Sequence, residues 1–74
     1  KKATNHGDTL CLRGLLLFHL GKKAEGYEQA RMGLRFALKS HVSWHMYGLM
    51  YRADRNYEEA SKCYLNALKY NPED

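Results

Sequence analysis

The chain has 74 residues and a net charge of +4, enough for one small domain that is marginal on core burial alone. Its two cysteines, Cys11 and Cys63, are too few for a disulfide scaffold, and no apolar run reaches the roughly 18–20 residues of a membrane-spanning helix. We expect both cysteines to be free thiols, buried or half-buried, in a protein from a reducing compartment. The chain starts without Met and stops just past Pro72, which we interpret as a piece of a longer protein.

The first half of the chain predicts two helices. The first covers residues 9–20, where Asp8 is placed to act as the N-cap by accepting a hydrogen bond from a free helix N–H. Gly21 follows it and can adopt the left-handed conformation that ends a helix. The second helix covers residues 24–37. Together these elements predict one antiparallel helix pair.

The second half of the chain predicts another helix pair. Its helices cover residues 42–53 and 57–70. Asn56 with Glu59 three residues later resembles a capping box, with Asn in place of the usual Ser or Thr. Pro72 cannot continue a helix and ends the pattern.

This second pair has the residue spacing of a known repeat. The tetratricopeptide pattern reads W-x2-L-G-x2-Y, then A-x3-F, then P, with a period of about 34 residues. The matching residues here are Trp44, Tyr47, Gly48, Tyr51, Ala60, Tyr64 and Pro72. They predict a near-consensus repeat over residues 41–74. A shift of about 34 residues places Gly14 on Gly48 and defines a diverged repeat over residues 7–40, after a lead-in at residues 1–6.

The predicted fold class is therefore all-α: a fragment of a tetratricopeptide-repeat α-solenoid with two antiparallel helix pairs. Small residues such as Gly14 and Gly48 allow neighbouring helices to approach closely. Gly26 and Gly33 inside a helix each cost about 0.8–1 kcal/mol relative to Ala, so we expect the first repeat to be the softer one. Solenoids of this kind usually need about three repeats, so both ends should expose surface that neighbouring repeats cover.

The sequence contains no pattern of residues that indicates catalysis. His41 and His45 share a helix face, but an HExxH zinc motif would need Glu where Val42 stands, and no cysteine or histidine cluster completes a site. There is no glycine-rich phosphate loop, and no pair of carboxylates is spaced for acid–base work. We therefore predict no catalytic residue, no metal and no cofactor.

The first helix of each pair supplies the residues expected on the concave surface of such a repeat. The candidate partner contacts are Cys11, Leu15, Phe18, His45, Met46, Leu49 and Arg52. Co-chaperones of this fold clamp a C-terminal carboxylate with Lys and Asn at such positions, where this chain has Cys11 and Leu15. A largely apolar groove favours a helix, another apolar surface or the chain's own superhelix over a charged peptide tail.

Positive charge is concentrated in residues 1–40, which carry eight Lys or Arg against three Asp or Glu, whereas residues 41–74 carry four against five. The candidate RNA contacts are Lys22, Lys23, Arg31, Arg35 and Lys39. Three of these are spaced by four, so they line one face of the second helix, the element that faces the convex side in this fold. Such a strip of positive charge can contact a phosphate backbone. The alternative is an ordinary solvated surface, because Glu25 and Glu28 reduce the net positive charge of this helix.

Several stretches go beyond the general repeat pattern. They are residues 6–10, 20–23, 38–49 and 62–69, of which LKSHVxWHxYGL at 38–49 is the most specific. Over residues 6–70 the chain resembles the N-terminal repeats of the auxiliary subunits of N-terminal acetyltransferase A. Differences such as Gly26, where Ala is usual, indicate a diverged orthologue or paralogue.

The resemblance implies a large cytosolic α-solenoid that wraps and activates a separate catalytic subunit and anchors the complex at the ribosome. In that family, catalysis and acetyl-CoA binding belong to the partner, so no catalytic residue carries over to this chain. Its N-terminal repeats are associated with ribosome contact, in keeping with the basic first repeat. The alternative is a generic peptide-binding adaptor of the co-chaperone type.

Overall fold

The computed structural model describes residues 6–71 and contains four helices within that range. They are α1 His6–His19, α2 Lys23–Phe36, α3 His41–Ala53 and α4 Tyr57–Lys69. The helices form two antiparallel pairs, α1 with α2 and α3 with α4, and α3 also packs against both helices of the first pair. The predicted all-α fold is confirmed. Pro72, which the sequence assigned to the end of the last helix, lies outside the described residues.

The helix ends confirm some of the capping predictions and correct one. Asn56 caps α4 as expected, its side-chain oxygen accepting from the Glu59 N–H at 3.4 Å. The Asp8 prediction is wrong: α1 is already helical from His6, so Asp8 lies inside the first turn. An acidic residue there still favours the positive end of the helix dipole, and its carboxylate has another use, described below.

The two turns inside the helix pairs have the same geometry but different residues. Gly21 has φ of +93°, as predicted, and the next residue, Lys22, donates its N–H to the Leu17 carbonyl at 2.9 Å. In the second turn Arg55 stands at the equivalent place with φ of +66°, and Asn56 donates to the Tyr51 carbonyl at 2.8 Å. The left-handed position is thus retained even where glycine, which adopts it without strain, is absent.

Helices α1 and α2 touch backbone to backbone through two pairs of glycines. A Cβ built on Gly26 would lie 2.5 Å from the Gly14 carbonyl oxygen, and one built on Gly33 would lie 2.5 Å from that of Gly7. A Cβ built on Gly14 or on Gly7 would lie equally close to the carbonyl oxygen of the facing glycine. Any side chain at these positions would prevent this close approach of the two helices. The glycines permit it, although each lowers the helix propensity of its segment.

The second helix pair packs differently at the equivalent position. A Cβ on Gly48 would meet the ring of Tyr64, 2.6 Å from its Cε1 atom, rather than a facing backbone. Gly48 therefore makes room for an aromatic side chain, whereas Gly14 makes room for a helix. The same glycine position serves the two repeats in two ways.

The core lies where α3 meets the first helix pair. Its buried cluster is Cys11, Ala30, Leu34, Tyr47, Met50 and Cys63, with Cys11 and Met50 fully enclosed. Both cysteines are free and buried, as predicted, and burial raises the pKa of the Cys63 thiol to about 11. Within residues 6–71, none of the helices has the length and apolarity to cross a membrane.

Replacing Gly26 with Ala should destabilise the chain although alanine is the better helix former. The propensity gain of about 0.5–1 kcal/mol is smaller than the overpacking cost of about 1–3 kcal/mol. We expect a lower urea midpoint and a lower thermal midpoint by circular dichroism. Ser61→Ala, at an exposed position in α4, is the control and should be neutral or slightly stabilising. A Gly26→Ala chain as stable as the original would show that the helices can separate without loss.

Candidate functional site

The first helix pair forms a groove that α3 fills. On the groove side, Leu34 is 6% exposed and both Cys11 and Ala30 are fully buried; from α3, Met50 is fully buried and Tyr47 nearly so. Cys11 Sγ donates to the Ala30 carbonyl at 3.4 Å across the α1–α2 contact, at the floor of this groove. Together these contacts make the two helix pairs one packed unit.

A polar cluster closes one end of this interface. The Asp8 carboxylate accepts from the hydroxyl of Ser40 at 2.7 Å and from that of Ser43 at 2.5 Å. Ser40 also caps α3 by accepting from the Ser43 N–H at 3.4 Å. Ser43 is fully buried, and a buried hydroxyl needs such a partner. Asp8 therefore joins the start of α1 to the start of α3.

A second polar cluster closes the other end. Asp54, which follows α3, accepts from Lys23 Nζ at 2.8 Å and from the Tyr27 hydroxyl at 3.1 Å. The Lys23 ammonium, with a smaller contribution from the Tyr27 hydroxyl, lowers the pKa of the Asp54 carboxyl. Burial and the bond to Asp54 raise the pKa of Tyr27. The start of α2 is thus joined to the end of α3.

Aromatic rings fill the space beside this second cluster. Tyr27 meets Phe18 edge-to-face with centroids 5.6 Å apart and meets Tyr51 at 5.3 Å. The Tyr51 hydroxyl donates to that of Tyr47 at 3.3 Å. The Tyr47 hydroxyl also lies beside the Arg31 guanidinium, and this contact raises the pKa of Arg31. Such edge and tilted pairs add to the apolar burial of the interface.

The groove of the second helix pair is open. A cavity of about 420 Å³ lies between α3 and α4, lined by His41, His45, Leu49, Arg52, Tyr64, Ala67, Leu68 and Asn71. We call this the open groove. His45 and Tyr64 lie side by side in it with ring centroids 5.8 Å apart. Leu68 is 58% exposed, so an apolar floor faces solvent.

The structure divides the predicted partner contacts into two groups. His45, Leu49 and Arg52 come together in the open groove, whereas Cys11 is fully buried under α3 and is removed from the set. Three further candidates, Leu15, Phe18 and Met46, are half-buried against the core. Sequence reasoning missed the α4 side of the groove, although the repeat shift from Leu34 to Leu68 would have indicated it.

The predicted basic residues are distributed along α2 rather than gathered in one patch. Lys22 and Lys23 lie at its start, and Arg35 and Lys39 lie at and beyond its end, about 20 Å away for a helix of this length. All five are exposed. Lys23 is paired with Asp54, and Arg31 contacts Tyr47. Lys22, Arg35 and Lys39 are therefore the three whose charge the interface does not use.

Across residues 6–71, no three His, Cys, Asp or Glu side chains lie close enough together to hold a metal ion. His41 and His45 instead line the open groove, beside Leu49 and Arg52. The surfaces that the described residues offer are the open groove and the exposed basic residues along α2.

Two helix pairs stacked at a fixed register define the class of tetratricopeptide-repeat proteins. The family model described as "Tetratricopeptide repeat" matches residues 42–74, which lie within the repeat predicted over residues 41–74. Among solved structures, a chain in "Structure of Naa15/Naa10 bound to HypK-THB" superposes with a TM-score of 0.87 at 42% identity, over 93% of this chain and 10% of that chain.

Curated relatives identify the family more closely. The human "N-alpha-acetyltransferase 16, NatA auxiliary subunit" is 59% identical over 68 residues, which is 92% of this chain and 8% of that protein. The Arabidopsis thaliana "N-terminal acetyltransferase A complex auxiliary subunit NAA15" is 51% identical over 73 residues, covering 99% of this chain and 8% of that protein. The chain belongs to the family of NatA auxiliary subunits and spans about a twelfth of these two relatives' length.

Replacing Asp54 with Asn should lower stability in a pH-dependent way. Because the folded pKa of Asp54 lies below its ordinary value of 3.8, its contribution is complete above that value and is lost as the pH falls through the folded pKa. The urea midpoint of Asp54→Asn should be lower than that of the unchanged chain near about pH 7 and should converge with it near about pH 2.

Glu58→Gln is the matched control for this experiment, since Glu58 is an exposed carboxylate on α4 outside the interface. Its effect should be smaller than that of Asp54→Asn at neutral pH. A deficit for Asp54→Asn that stays constant across the pH range would contradict a role for the ionised carboxylate.

Proposed function

We propose that this chain is a non-catalytic scaffold segment of a NatA auxiliary subunit that supports binding of a separate catalytic subunit. The observation that carries this is the seating of α3 between α1 and α2, closed at both ends by Asp8 and Asp54. A solenoid built from such contacts holds a partner over a long surface. The solved relative is described as Naa15/Naa10 bound to HypK, which supports a catalytic partner for this chain.

On this proposal the acetyl transfer and the acetyl-CoA site belong to the partner chain. Two carboxylates and both thiols within residues 6–71 favour this division of roles, because they are engaged in packing. Asp8 and Asp54 hold the interface, and burial raises the pKa of Cys11 and of Cys63 away from the range of a reactive thiolate.

Co-purification from cells tests the scaffold role. Full-length protein carrying an affinity tag should retain a catalytic subunit and N-terminal acetyltransferase activity, whereas the purified full-length chain alone should have none. Activity in the isolated chain would contradict the non-catalytic assignment. The alternative, a co-chaperone-type adaptor, predicts tight binding of an acidic C-terminal peptide in a fluorescence titration. The apolar residues of the open groove disfavour that outcome.

We further propose that the basic first repeat helps to anchor the complex at the ribosome in the cytoplasm. The support is electrostatic: Lys22, Arg35 and Lys39 are exposed, and their charges are not used in the interface with α3. Arginine and lysine on a convex helix can contact phosphates without reading sequence, and such binding weakens as salt rises. Lys23 and Arg31 contribute less because each already has a partner within the fold.

Charge reversal in the full-length protein tests this anchoring. The triple variant Lys22→Glu, Arg35→Glu and Lys39→Glu should reduce co-sedimentation with ribosomes in low salt, by about tenfold or more if three phosphate contacts are lost. The control reverses Lys62 and Lys69, which lie on α4 of the second repeat. Equal co-sedimentation of both variants with the unchanged protein would remove the basic residues from the proposal and leave the scaffold role intact.

A further inference from the structure

We propose that the end of α2 and the loop after it bind one unpaired nucleotide of RNA, with the base stacked on Phe36 and the phosphates beside Arg35 and Lys39. This assignment rests on the proposed anchoring at the ribosome and names the form of RNA that this end of α2 takes. Such a site needs an open aromatic ring, cations beside it and a loop that is held in place before the nucleotide arrives.

The aromatic ring is that of Phe36, the last residue of α2. This side chain is 62% exposed. The His6 ring meets it edge-to-face, with centroids 5.0 Å apart and ring planes at 73°. One neighbour therefore supports the Phe36 ring while most of its surface faces solvent. Aromatic rings exposed in this way stack on unpaired bases without regard to sequence, because every base has a π-face.

A surface cavity of about 520 Å³ lies beside this ring. Its lining residues are Arg35, Phe36, Ala37, Leu38, Lys39 and Ser40. Two of these residues are cationic and none of them is acidic, so an apolar surface and positive charge adjoin each other. That combination matches the two parts of a nucleotide, since the base is flat and largely apolar on its faces and the phosphate is an anion.

The loop that carries Leu38 and Lys39 is held by hydrogen bonds at both ends. The Trp44 indole N–H donates to the Leu38 carbonyl at 2.7 Å. The Ser40 N–H donates to the Ala37 carbonyl at 3.1 Å, and the Ser40 hydroxyl donates to Asp8 at 2.7 Å. Because the loop is already ordered, a ligand that binds there loses less conformational entropy.

The Phe36 ring distinguishes unpaired RNA from a duplex. A base inside a duplex is stacked on both faces, whereas bases in loops, bulges and ends present a free face to an aromatic side chain. Arg35 and Lys39 contact phosphates of either form. The preference for single-stranded RNA therefore comes from Phe36, and the cations supply affinity for both forms.

An acidic amphipathic helix fits this surface less well than a nucleotide does. Helical spacing places Glu25, Glu28 and Met32 on the same side of α2 as Phe36, and both carboxylates are exposed. A partner helix lying along α2 would bring its own carboxylates close to these two. A nucleotide needs only the end of α2 and the loop, about 12 Å along the helix from Glu28.

Fluorescence anisotropy with the full-length protein tests this site. The probes are a short labelled oligouridine and a blunt A·U duplex with the same number of phosphates. Phe36→Leu keeps an apolar side chain but removes the ring, so oligouridine should bind about tenfold more weakly while duplex binding is unchanged. Phe36→Trp should retain the affinity for oligouridine.

Tyr57→Leu is the matched control for the loss of an exposed ring. Tyr57 is also 62% exposed, and it lies at the start of α4, outside the cavity. This variant should bind both RNAs as the unchanged protein does. Circular dichroism should show the same thermal midpoint for Phe36→Leu and for Tyr57→Leu, because both side chains are exposed.

Salt dependence separates the ring from the cations. Phe36→Leu removes no charge, so the slope of the logarithm of the oligouridine binding constant against the logarithm of the salt concentration should stay the same. Lys39→Gln should make that slope shallower by about 0.7 and should weaken the binding of both RNAs. Ultraviolet crosslinking of oligouridine, followed by mass spectrometry, should give a uridine adduct on Phe36.

The contrary outcomes are distinct. Equal binding of oligouridine by the unchanged protein and by Phe36→Leu would overturn the nucleotide site, and so would an equal loss for oligouridine and duplex. A loss by Phe36→Leu that affects only an acidic amphipathic peptide would identify a protein partner and overturn it too. Ribosome anchoring by Lys22, Arg35 and Lys39 is measured separately by co-sedimentation, so it can stand when the nucleotide site falls.

Discussion

The contact on which the rest of the structure depends is the backbone-to-backbone approach of α1 and α2. Gly7 with Gly33 and Gly14 with Gly26 bring two helices closer than any side chain would allow. That approach sets the shape of the groove above it, whose floor includes the small residues Cys11 and Ala30. A large helix face can then enter, and α3 does so with Met50 fully buried.

Polar residues then set the register in which α3 sits. Apolar packing alone tolerates sliding, because many side chains of similar size fill the same space. The Asp8 cluster at one end and the Asp54 cluster at the other allow one position in which both carboxylates are bonded. These two polar clusters at opposite ends of α3 therefore fix the angle between the first helix pair and the second.

The two repeats use one pattern for different chemistry. In the first repeat the helix-A glycine meets a backbone and the groove is small and neutral; in the second, Gly48 accepts the Tyr64 ring and the groove carries Arg52 and His45. The two repeats therefore share a backbone pattern but differ in the chemistry of their grooves.

The sequence by itself determined the elements that depend on neighbours along the chain. Trp44, Gly48 and Ala60 established the repeat, Gly21 and Asn56 established helix ends, and residues 38–49 indicated the family. Only the tertiary structure decided which contacts form between residues far apart. It showed that Asp8 joins α1 to α3 instead of capping a helix. It also showed that Cys11 is buried, whereas His45, at the equivalent position of the second repeat, lines the open groove. The physical reason is that a helix cap or turn is completed within a few residues, whereas burial depends on which helix arrives from elsewhere in the chain.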